Sequence, residues 1–556
     1  MSRLFQKRRP CHCVAVCVCH IIHPKESKKK GETMKKQMKK VITEDFALLE
    51  KGREYNRRIA YYDTVNRNER FYRGDQWMGV PSGDLPTPVF NLFKRVINYF
   101  VSTIMSQKMS LHFSAEEVGG FLDPAKRAQT DEACRLLTRY LNYRLEKDKV
   151  DSILTRGLMD AAVTGDMFLY VYWDPSKRTA QGFMGDFVTE LLDGTQVFFG
   201  DVNTPSVKDQ PYILLTGREL VSKLRQEALL CGASREEAER IVSDSDVEDQ
   251  TGDYGKKELE GTKATYVIKL FLENGSVRYR KSCRSTVIVP ERDTGLQSYP
   301  VVLMNWEGVK NSYHGQGAAT ALADNQLYIN KAFAMVMKHM MDVSFSKVMY
   351  NANLIDEWTG EIGEAVAVNG PVENAAIRME PGSMQAGFLE VINMTMGVTK
   401  ELMGATDAAL GSVNPDNTSA IIALQQSSAV PLELQRKALY LAVEQLGMIW
   451  LDFIFHYYVP ERVILFREKG ELLGGTLPLD QMQDSIFSCT LQAGASTYWS
   501  EIAQVATLDK LLSLGIIRFS QYLERLPDGY IAKKEELLET VREEEKAKLG
   551  LIEGQK

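Results

Sequence analysis

The sequence predicts an α+β fold in which helix predominates, and three patterns carry that expectation. Apolar residues step by four and three through much of 316–458, the spacing of one helix face. The run MFLYVYW at 167–173 switches to the two-residue alternation of a strand. Asn274-Gly275 stands between the runs TYVIKLFLE and SVRYR, and both residues readily take the positive φ of a type I′ hairpin turn.

The chain has 556 residues, 44% hydrophobic and 25% charged, which suits a folded protein of several modules and excludes disorder of the whole chain. The net charge of -6 hides an asymmetry: residues 1–40 hold twelve Lys/Arg and two Asp/Glu, leaving 55 basic against 71 acidic residues in 41–556. An acidic body argues against a tight grip on a DNA backbone, because such a grip needs many cations. It is compatible with a passage through which a polyanion slides. Cys11, Cys13, Cys17 and Cys19 cluster at the start, whereas Cys134, Cys231, Cys283 and Cys489 are scattered. Scattered single cysteines fit buried thiols in a reducing compartment better than a disulfide framework.

In chain order, residues 1–33 are basic and Cys/His-rich, and KESKKKGET reads as a solvated linker before an amphipathic pattern begins at Met34. The spacing C-x-C-x3-C-x-C in CHCVAVCVCH is a poor match to the C-x2-C pairs that bring two ligands to one zinc ion. Residues 1–40 are therefore read as a disordered tail or as sequence translated from too early a start codon, with Met34 the alternative start, rather than as a metal module. Helices are expected over 43–78, 90–107, 130–148 and 150–164, with Pro81, Pro86 and Pro88 separating the first two. Strands follow at 167–173, 187–199 and 211–216, then a polar stretch at 232–263 that holds a short exposed helix and a loop. After the Asn274-Gly275 hairpin come the apolar runs STVIVPE and YPVVLMNW.

From Gly315 the period becomes helical, with Ile329, Phe333, Val336 and Met340 on one face. Residues 346–382 break into short strand-like pieces and turns. A second helix carries Met384, Phe388, Val391, Thr395, Val398 and Leu402 on one face, and the small-residue loop GATDAALGSVNPDNTS (404–419) follows. A third helix starts at Thr418 or Ser419, runs to about 458 and should kink at Pro431. Its part 438–459 is apolar enough to be weighed as a membrane span, but Glu444, Gln445, Asp452 and His456 are costly in a bilayer. Leu439, Val443, Leu446, Trp450 and Phe453 instead form one packed face, so a core helix and no membrane partner are expected. Strands return over 462–496 around Lys469-Gly470, and 498–515 and the charged 519–548 read as helices.

Catalytic signatures are missing from the sequence. There is no G-x4-G-K-[ST], no H-E-x-x-H and no G-x-S-x-G, and GQGAAT at 315–320 reads as a tight turn. His112, His314, His339 and His456 lie far apart, and DSDVED lacks the glycine and terminal Glu of a calcium loop. No catalytic residue, metal ligand or cofactor is assigned, and the chain is expected not to be an enzyme. The informative stretch is 316–458. Two amphipathic helices flank a compact insertion, and a ring of such pairs would bury their flanks against neighbours and leave one stripe facing inward. Lys331 and Lys338, seven apart, share a stripe away from Ile329 and Phe333. They read either as that inward stripe or as ordinary surface lysines.

Five segments in order resemble portal proteins of tailed phages, and the resemblance runs from about 40 to 545. They are RNERFYRGDQW with FNLFKRVINYFVSTIM, DAAVTGDMFLYVYWDP with Gly165 at its joint, YPVVLMNW, HGQGAATALADNQLYINKAF with its polar Asn325, Gln326 and Asn330, and GASTYWSEIAQVATLDKLLSLGII. The tail 1–33 has no counterpart in that pattern.

The resemblance implies an elongated subunit with a wing (41–310, return strands 459–500), a first stem helix (311–345), a clip (346–382), a second stem helix (383–403), a tunnel loop (404–419), a long kinked helix (420–458) and a C-terminal helical crown with a charged tail (501–556). Ala408, Gly411, Ser412, Asn414, Asp416, Asn417 and Thr418 would border the DNA channel, Lys331 and Lys338 would face it from the stem, and Asn351, Glu357, Trp358 and Glu361 would lie in the docking clip. Partners so implied are further copies in a twelve-fold ring, double-stranded DNA passing non-specifically, the terminase large subunit, major capsid and scaffolding proteins, and a head–tail adaptor. The implied location is the virion's portal vertex, assembled in the host cytoplasm. The alternatives left open are another phage head or tail structural protein, and a nucleic-acid-processing enzyme with an N-terminal metal-binding tail.

Overall fold

The computed structural model describes residues 27–116, 124–178, 182–244, 262–344, 348–356, 367–378, 387–404, 430–468, 471–482, 486–493 and, towards the end, 505, 507–526, 531, 534 and 537–542. Helix at 49% and strand at 25% make the chain α+β with helix predominant.

The first part runs α1 (Ser27–Arg58), α2 (Tyr61–Arg73), α3 (Leu92–Ile104), β1 (Met109–Glu116), α4 (Pro124–Lys147), α5 (Val150–Thr164), β2 (Asp166–Arg178) and β3 (Met184–Leu192). Next come β4 (Val197–Phe199), β5 (Ile213–Leu220), α6 (Val221–Leu230), α7 (Arg235–Glu239), β6 (Lys263–Glu273), β7 (Ser276–Cys283), β8 (Val287–Asp293) and β9 (Val301–Asn305). The last part holds α8 (Ala318–Ser344), β10 (Val348–Tyr350), β11 (Ala376–Arg378), α9 (Gly387–Leu402), α10 (Glu433–Tyr457), β12 (Val463–Glu468), β13 (Glu471–Thr476), β14 (Ile486–Ala493) and a short helix Phe519–Arg525.

β4 to β8 form a five-stranded antiparallel meander, and β2 lies between β3 and β9 in a second sheet. The β6–β7 turn has φ 53° at Asn274 and 79° at Gly275, as the Asn-Gly pair led us to expect. β2 opens with six buried residues in a row because helices and the neighbouring strands cover both its faces. β1 pairs antiparallel with β14, Met109 opposite Ala493, so the chain closes its body with strands nearly four hundred residues apart.

α10 runs through the centre of the main core. Val430–Tyr457 is long and apolar enough to cross a membrane by length and composition alone. Yet Leu439, Val443, Leu446, Trp450 and Phe453 are all buried in the body, the face that the sequence periodicity marks. Trp450 Nε1 donates to Thr189 Oγ1 at 2.9 Å, which satisfies the one polar atom of that side chain. At the end of α10, Arg144 is buried with its charge spread over Asp186 and Asp148, each at 2.6 Å, and stacks on the Phe187 ring.

Four elements differ from the sequence reading. Residues 43–78 are not one helix: α1 stops at Arg58 and α2 starts at Tyr61 through Ala60, held at φ 52°. No Gly or Pro marks this break, so tertiary packing imposes it. KESKKKGET is not a linker, because α1 is already helical from Ser27. β1 and α6 were not anticipated either. β1 buries Met109, Leu111 and Phe113 at alternate positions, a run of only three, and α6 is a short helix whose inward residues are Leu224 and Ala228. The helix expected from Thr418 or Ser419 begins outside the described residues, and Pro431 stands in the 3-10 turn Val430–Leu432 that leads into α10.

Two predictions follow from this core. Leu446→Ala should destabilise the body by about 2–5 kcal/mol in a urea titration, since it leaves a cavity beneath Trp450. A change below 1 kcal/mol would mean that the site collapses. The second concerns Asp160 on α5. Burial, with Asp193 and Glu69 alongside, raises its carboxyl from 3.8 to about 7, against the opposing pull of Arg156. A carboxyl raised in the folded state is protonated there while the unfolded chain has already ionised, so stability falls as pH rises from about 4 to about 7. Asp160→Asn should flatten that fall in urea midpoints measured across this range, and an unchanged pH slope would refute the assignment.

Candidate assembly and channel elements

The candidate site is the projection α8–β10/β11–α9, and its root is held by close backbone approach and buried polar groups. Gly165 ends α5 at φ 113°, and a Cβ there would lie 2.5 Å from the Gly315 carbonyl oxygen. A Cβ on Gly317 would meet the Ala162 and Val163 carbonyl oxygens at 2.8 Å. Only glycine allows the segment entering α8 to lie flat against the α5–β2 joint. This gives GQGAAT a structural purpose: its glycines make room for backbone.

Asp166, 1% exposed, sits at that joint. Its carboxylate accepts from Tyr61 OH at 3.0 Å, Asn305 Nδ2 at 2.7 Å and the Gly315 backbone N–H at 2.7 Å. His314 Nδ1 lies 2.5 Å away and donates to it in the tautomer protonated there, while Nε2 is 3.1 Å from Asn56 Oδ1. The His314 ring stacks on Tyr61 with centroids 3.7 Å apart. Burial first, and Asp166 second, push the Tyr61 hydroxyl well above its ordinary range, so it stays a donor. One carboxylate thus ties α2, β2, β9 and the entry to α8, with α1 joined through Asn56.

About three turns further along, amides of α8 do the same for the segment between α2 and α3. Asn330 Nδ2 donates to Gln76 Oε1 at 2.6 Å, and Gln76 Nε2 to Asn91 Oδ1 at 3.2 Å. Gln326 donates to Asn330 Oδ1 and to the Phe90 carbonyl, both at 2.9 Å, and accepts from the Phe93 N–H at 2.9 Å. Gln326 and Asn330, two of the three polar positions that the resemblance singled out, are buried tethers, whereas Asn325 is half-buried.

Beyond the root, α8 and α9 meet along a narrow seam of Ala332, Val336 and Ile392, with Phe333 and Met396 at its margin. Ile329 is buried, Met384 lies outside the described residues, and much of the remaining stripe is exposed. Phe388, Val391, Val398 and Leu402 are 47%, 49%, 44% and 76% exposed, and Met394 is 67% exposed. On α8, Tyr328, Met335, Met337, Met340 and Met341 are exposed. At about 100° per residue, Val391, Met394, Val398 and Leu402 form one strip roughly a quarter turn from the α9 seam.

The predicted site residues fall as follows. Lys331 and Lys338 lie on the α8 face turned away from the seam, and Lys338 Nζ pairs with Asp342 at 3.3 Å. Asn351 is exposed just after β10, where its backbone N–H donates to Ala375 and its Oδ1 accepts from Asn353 N. Glu357, Trp358 and Glu361, and the loop residues Ala408, Gly411, Ser412, Asn414, Asp416, Asn417 and Thr418, lie outside the described residues. Among the described residues no group of three or more His, Cys, Asp or Glu is placed to hold a metal ion. The sequence reading missed the Asp166–His314–Tyr61 knot, whose members are 105 and 148 positions apart. The only prior hint was that Asp166 and His314 both adjoin the glycines of the quoted segments.

The described residues thus form an α+β body with a tethered two-helix projection whose apolar flanks no other described residue covers. Residues 234–471 match the family model of the phage P22-like portal protein. Over that stretch, from α7 through the projection to the start of β13, the chain is similar to a family of structural rather than enzymatic proteins. No curated protein matches the chain.

The knot yields a prediction. Asp166→Ala should cost about 3–5 kcal/mol, because it leaves His314, Asn305 and the Gly315 N–H buried without their acceptor. Asp166→Asn, which keeps the shape, should cost less. Denaturant titration checks both, and equal stability of Asp166→Ala and wild type would sink the account.

Proposed function

We propose that this chain is one subunit of a closed ring at a single vertex of a phage head, through which double-stranded DNA is packaged and later ejected. One observation carries the reading. The α9 strip Val391, Met394, Val398 and Leu402 is open on a helix whose other face is already occupied by α8. A stable monomer seldom exposes such a continuous apolar strip, and a neighbouring copy is the natural cover. Contact between two different flanks repeats from copy to copy and closes when the rotation closes, giving a ring, about twelvefold by the resemblance.

In that ring the α8–α9 pair is the stem around the channel, and Lys331 and Lys338 line it. With Asp342 paired to Lys338, the stripe keeps one net positive charge per subunit, that of Lys331, so DNA is attracted without a tight grip. Residues 346–382, with Asn351, Glu357, Trp358 and Glu361, form the clip that docks the terminase and then the head–tail adaptor. Residues 404–419 loop around the DNA, where Ser412, Asn414, Asn417 and Thr418 offer weak, sequence-blind contacts to phosphates. ATP hydrolysis belongs to the terminase, and this chain supplies the hole and the docking surface.

The ring is tested by Val398→Glu combined with Leu402→Glu, both on the open strip. Electron microscopy should show annular particles for the wild type and none for the double variant, with unfolding free energies of the two chains within about 1 kcal/mol. Rings that persist undiminished would remove the α9 strip from the contact. Replacing 411–417 by a shorter linker should spare ring assembly and impair DNA retention in filled heads, and unchanged retention would refute a retaining role for the loop.

A further inference from the structure

The exposed apolar surface of the projection is not confined to α9. On α8, Met337 and Met340 are exposed, and toward the root the exposed Phe90 ring packs on Phe333 with centroids 4.3 Å apart. Val89, its neighbour in the chain, is exposed too. Phe90 belongs to the segment between α2 and α3, which the Gln326 amide holds through the Phe90 carbonyl and the Phe93 N–H. Trp77 Nε1 donates to the Pro88 carbonyl at 2.8 Å and ties the two arms of that segment together. Body and helix thus share one apolar surface, running from Val89 and Phe90 past Phe333 to the two methionines.

Helix geometry decides which side that surface takes. β10 follows α8, β11 precedes α9, and the two strands pair antiparallel with Val348 opposite Arg378, so α8 and α9 run in opposite directions. Met337 stands one residue after the seam residue Val336, and Val391 one residue before the seam residue Ile392, each about 100° round its helix. In antiparallel helices a forward step on one and a backward step on the other lead to opposite sides of the pair. The α9 strip and the surface at Met337 are therefore two different flanks. Their levels agree as well. Ala332 and Val336 meet Ile392 and Met396 along the seam, which sets Met337 level with Val391 and Phe333 level with Met394. By the same register Gln326, with Phe90 bonded to it, is level with Leu402.

We infer that Val89, Phe90, Phe333, Met337 and Met340 form the seat for the α9 strip of the next copy of this chain, an inference that rests on the ring proposed above. Rotation about an axis along the helices preserves level, so Val391 of one copy reaches Met337 of the next, and Leu402 reaches Phe90. Two unlike flanks that fit in this way repeat round a circle, whereas a strip that met its own kind would close a pair and leave no ring. Charge points the same way. Glu390 and Glu401 are exposed along the margin of the strip that lies away from α8, and Lys94, exposed in the first turn of α3, follows Phe90 by four residues. Glu401 of one copy and Lys94 of the next then share a level, on the rim where opposite charges fix register. Methionine, long and unbranched, suits a seat that repacks as subunits shift. The amides of Gln326 and Asn330 acquire a purpose here: they hold the segment that presents Phe90 against the flank of α8.

The test uses the full chain carrying Met337→Cys together with Val391→Cys, oxidised after assembly and run on a denaturing gel without reductant. The pair should give a ladder of cross-linked multimers, and each single variant should run as the wild type does. Met335→Cys with Val391→Cys, both on the strip's side of the helix pair, should give no ladder. Charge reversal supplies a second readout. Glu401→Lys or Lys94→Glu alone should lower the fraction of chain in rings about threefold or more at low salt, and the two together should restore it. Rings seen by microscopy without a ladder from the Met337–Val391 pair give the strip to another occupant and overturn the inference while the ring stands. A ladder from the Met335–Val391 pair overturns it too, since it would set like flanks together. A double reversal no better than either single one refutes the placement of Glu401 on Lys94. A chain that forms no rings removes the ring and this seat together.

Discussion

The architecture depends on one buried carboxylate. Asp166 follows the glycine at which α5 gives way to β2, and it gathers Tyr61, Asn305, His314 and the Gly315 N–H in a place that water does not reach. A buried carboxylate is tolerated only when donors surround it, and these donors come from three parts of the chain: α2, β9 and the segment that enters α8. The group therefore specifies geometry: α2, β2, β9 and the start of α8 have one arrangement that satisfies it. The glycines at 165, 315 and 317 bring the backbones close enough for this to happen.

From that knot outward, polar tethers give way to apolar seams. The amide chain of Gln76, Asn91, Gln326 and Asn330 fixes the first turns of α8 against the segment before α3. Amides suit that place because each donates and accepts, so a chain of them can be fully satisfied without any net charge. Further along, the α8–α9 seam is only a few residues wide. A polar-tethered root and a thinly packed shaft mean that the body decides where the projection points.

The distribution of charge follows the same division. Buried cations such as Arg144 and Arg280 are matched by carboxylates inside the body, which makes them parts of the fold rather than of any nucleic-acid surface. On α8, Lys338 is paired with Asp342.

The sequence by itself determined most of the elements. Period-four-three spacing marked α8, α9 and the buried face of α10, the short apolar run MFLYVYW marked β2 although it is buried continuously rather than in alternation, and Asn274-Gly275 marked its hairpin, because these signals are local and the backbone obeys them within a few residues. The seam side of α9 was not legible in the same way. Periodicity marked Phe388, Val391, Val398 and Leu402, but the positions that α8 covers are Ile392 and Thr399. Spacing shows that a face is apolar and not who covers it. The break at Ala60, the pairing of β1 with β14 and the Asp166 knot were decided by tertiary structure alone. Each joins residues too far apart in the chain for any local pattern to register, and their free energy comes from burial that exists only once the whole body has closed.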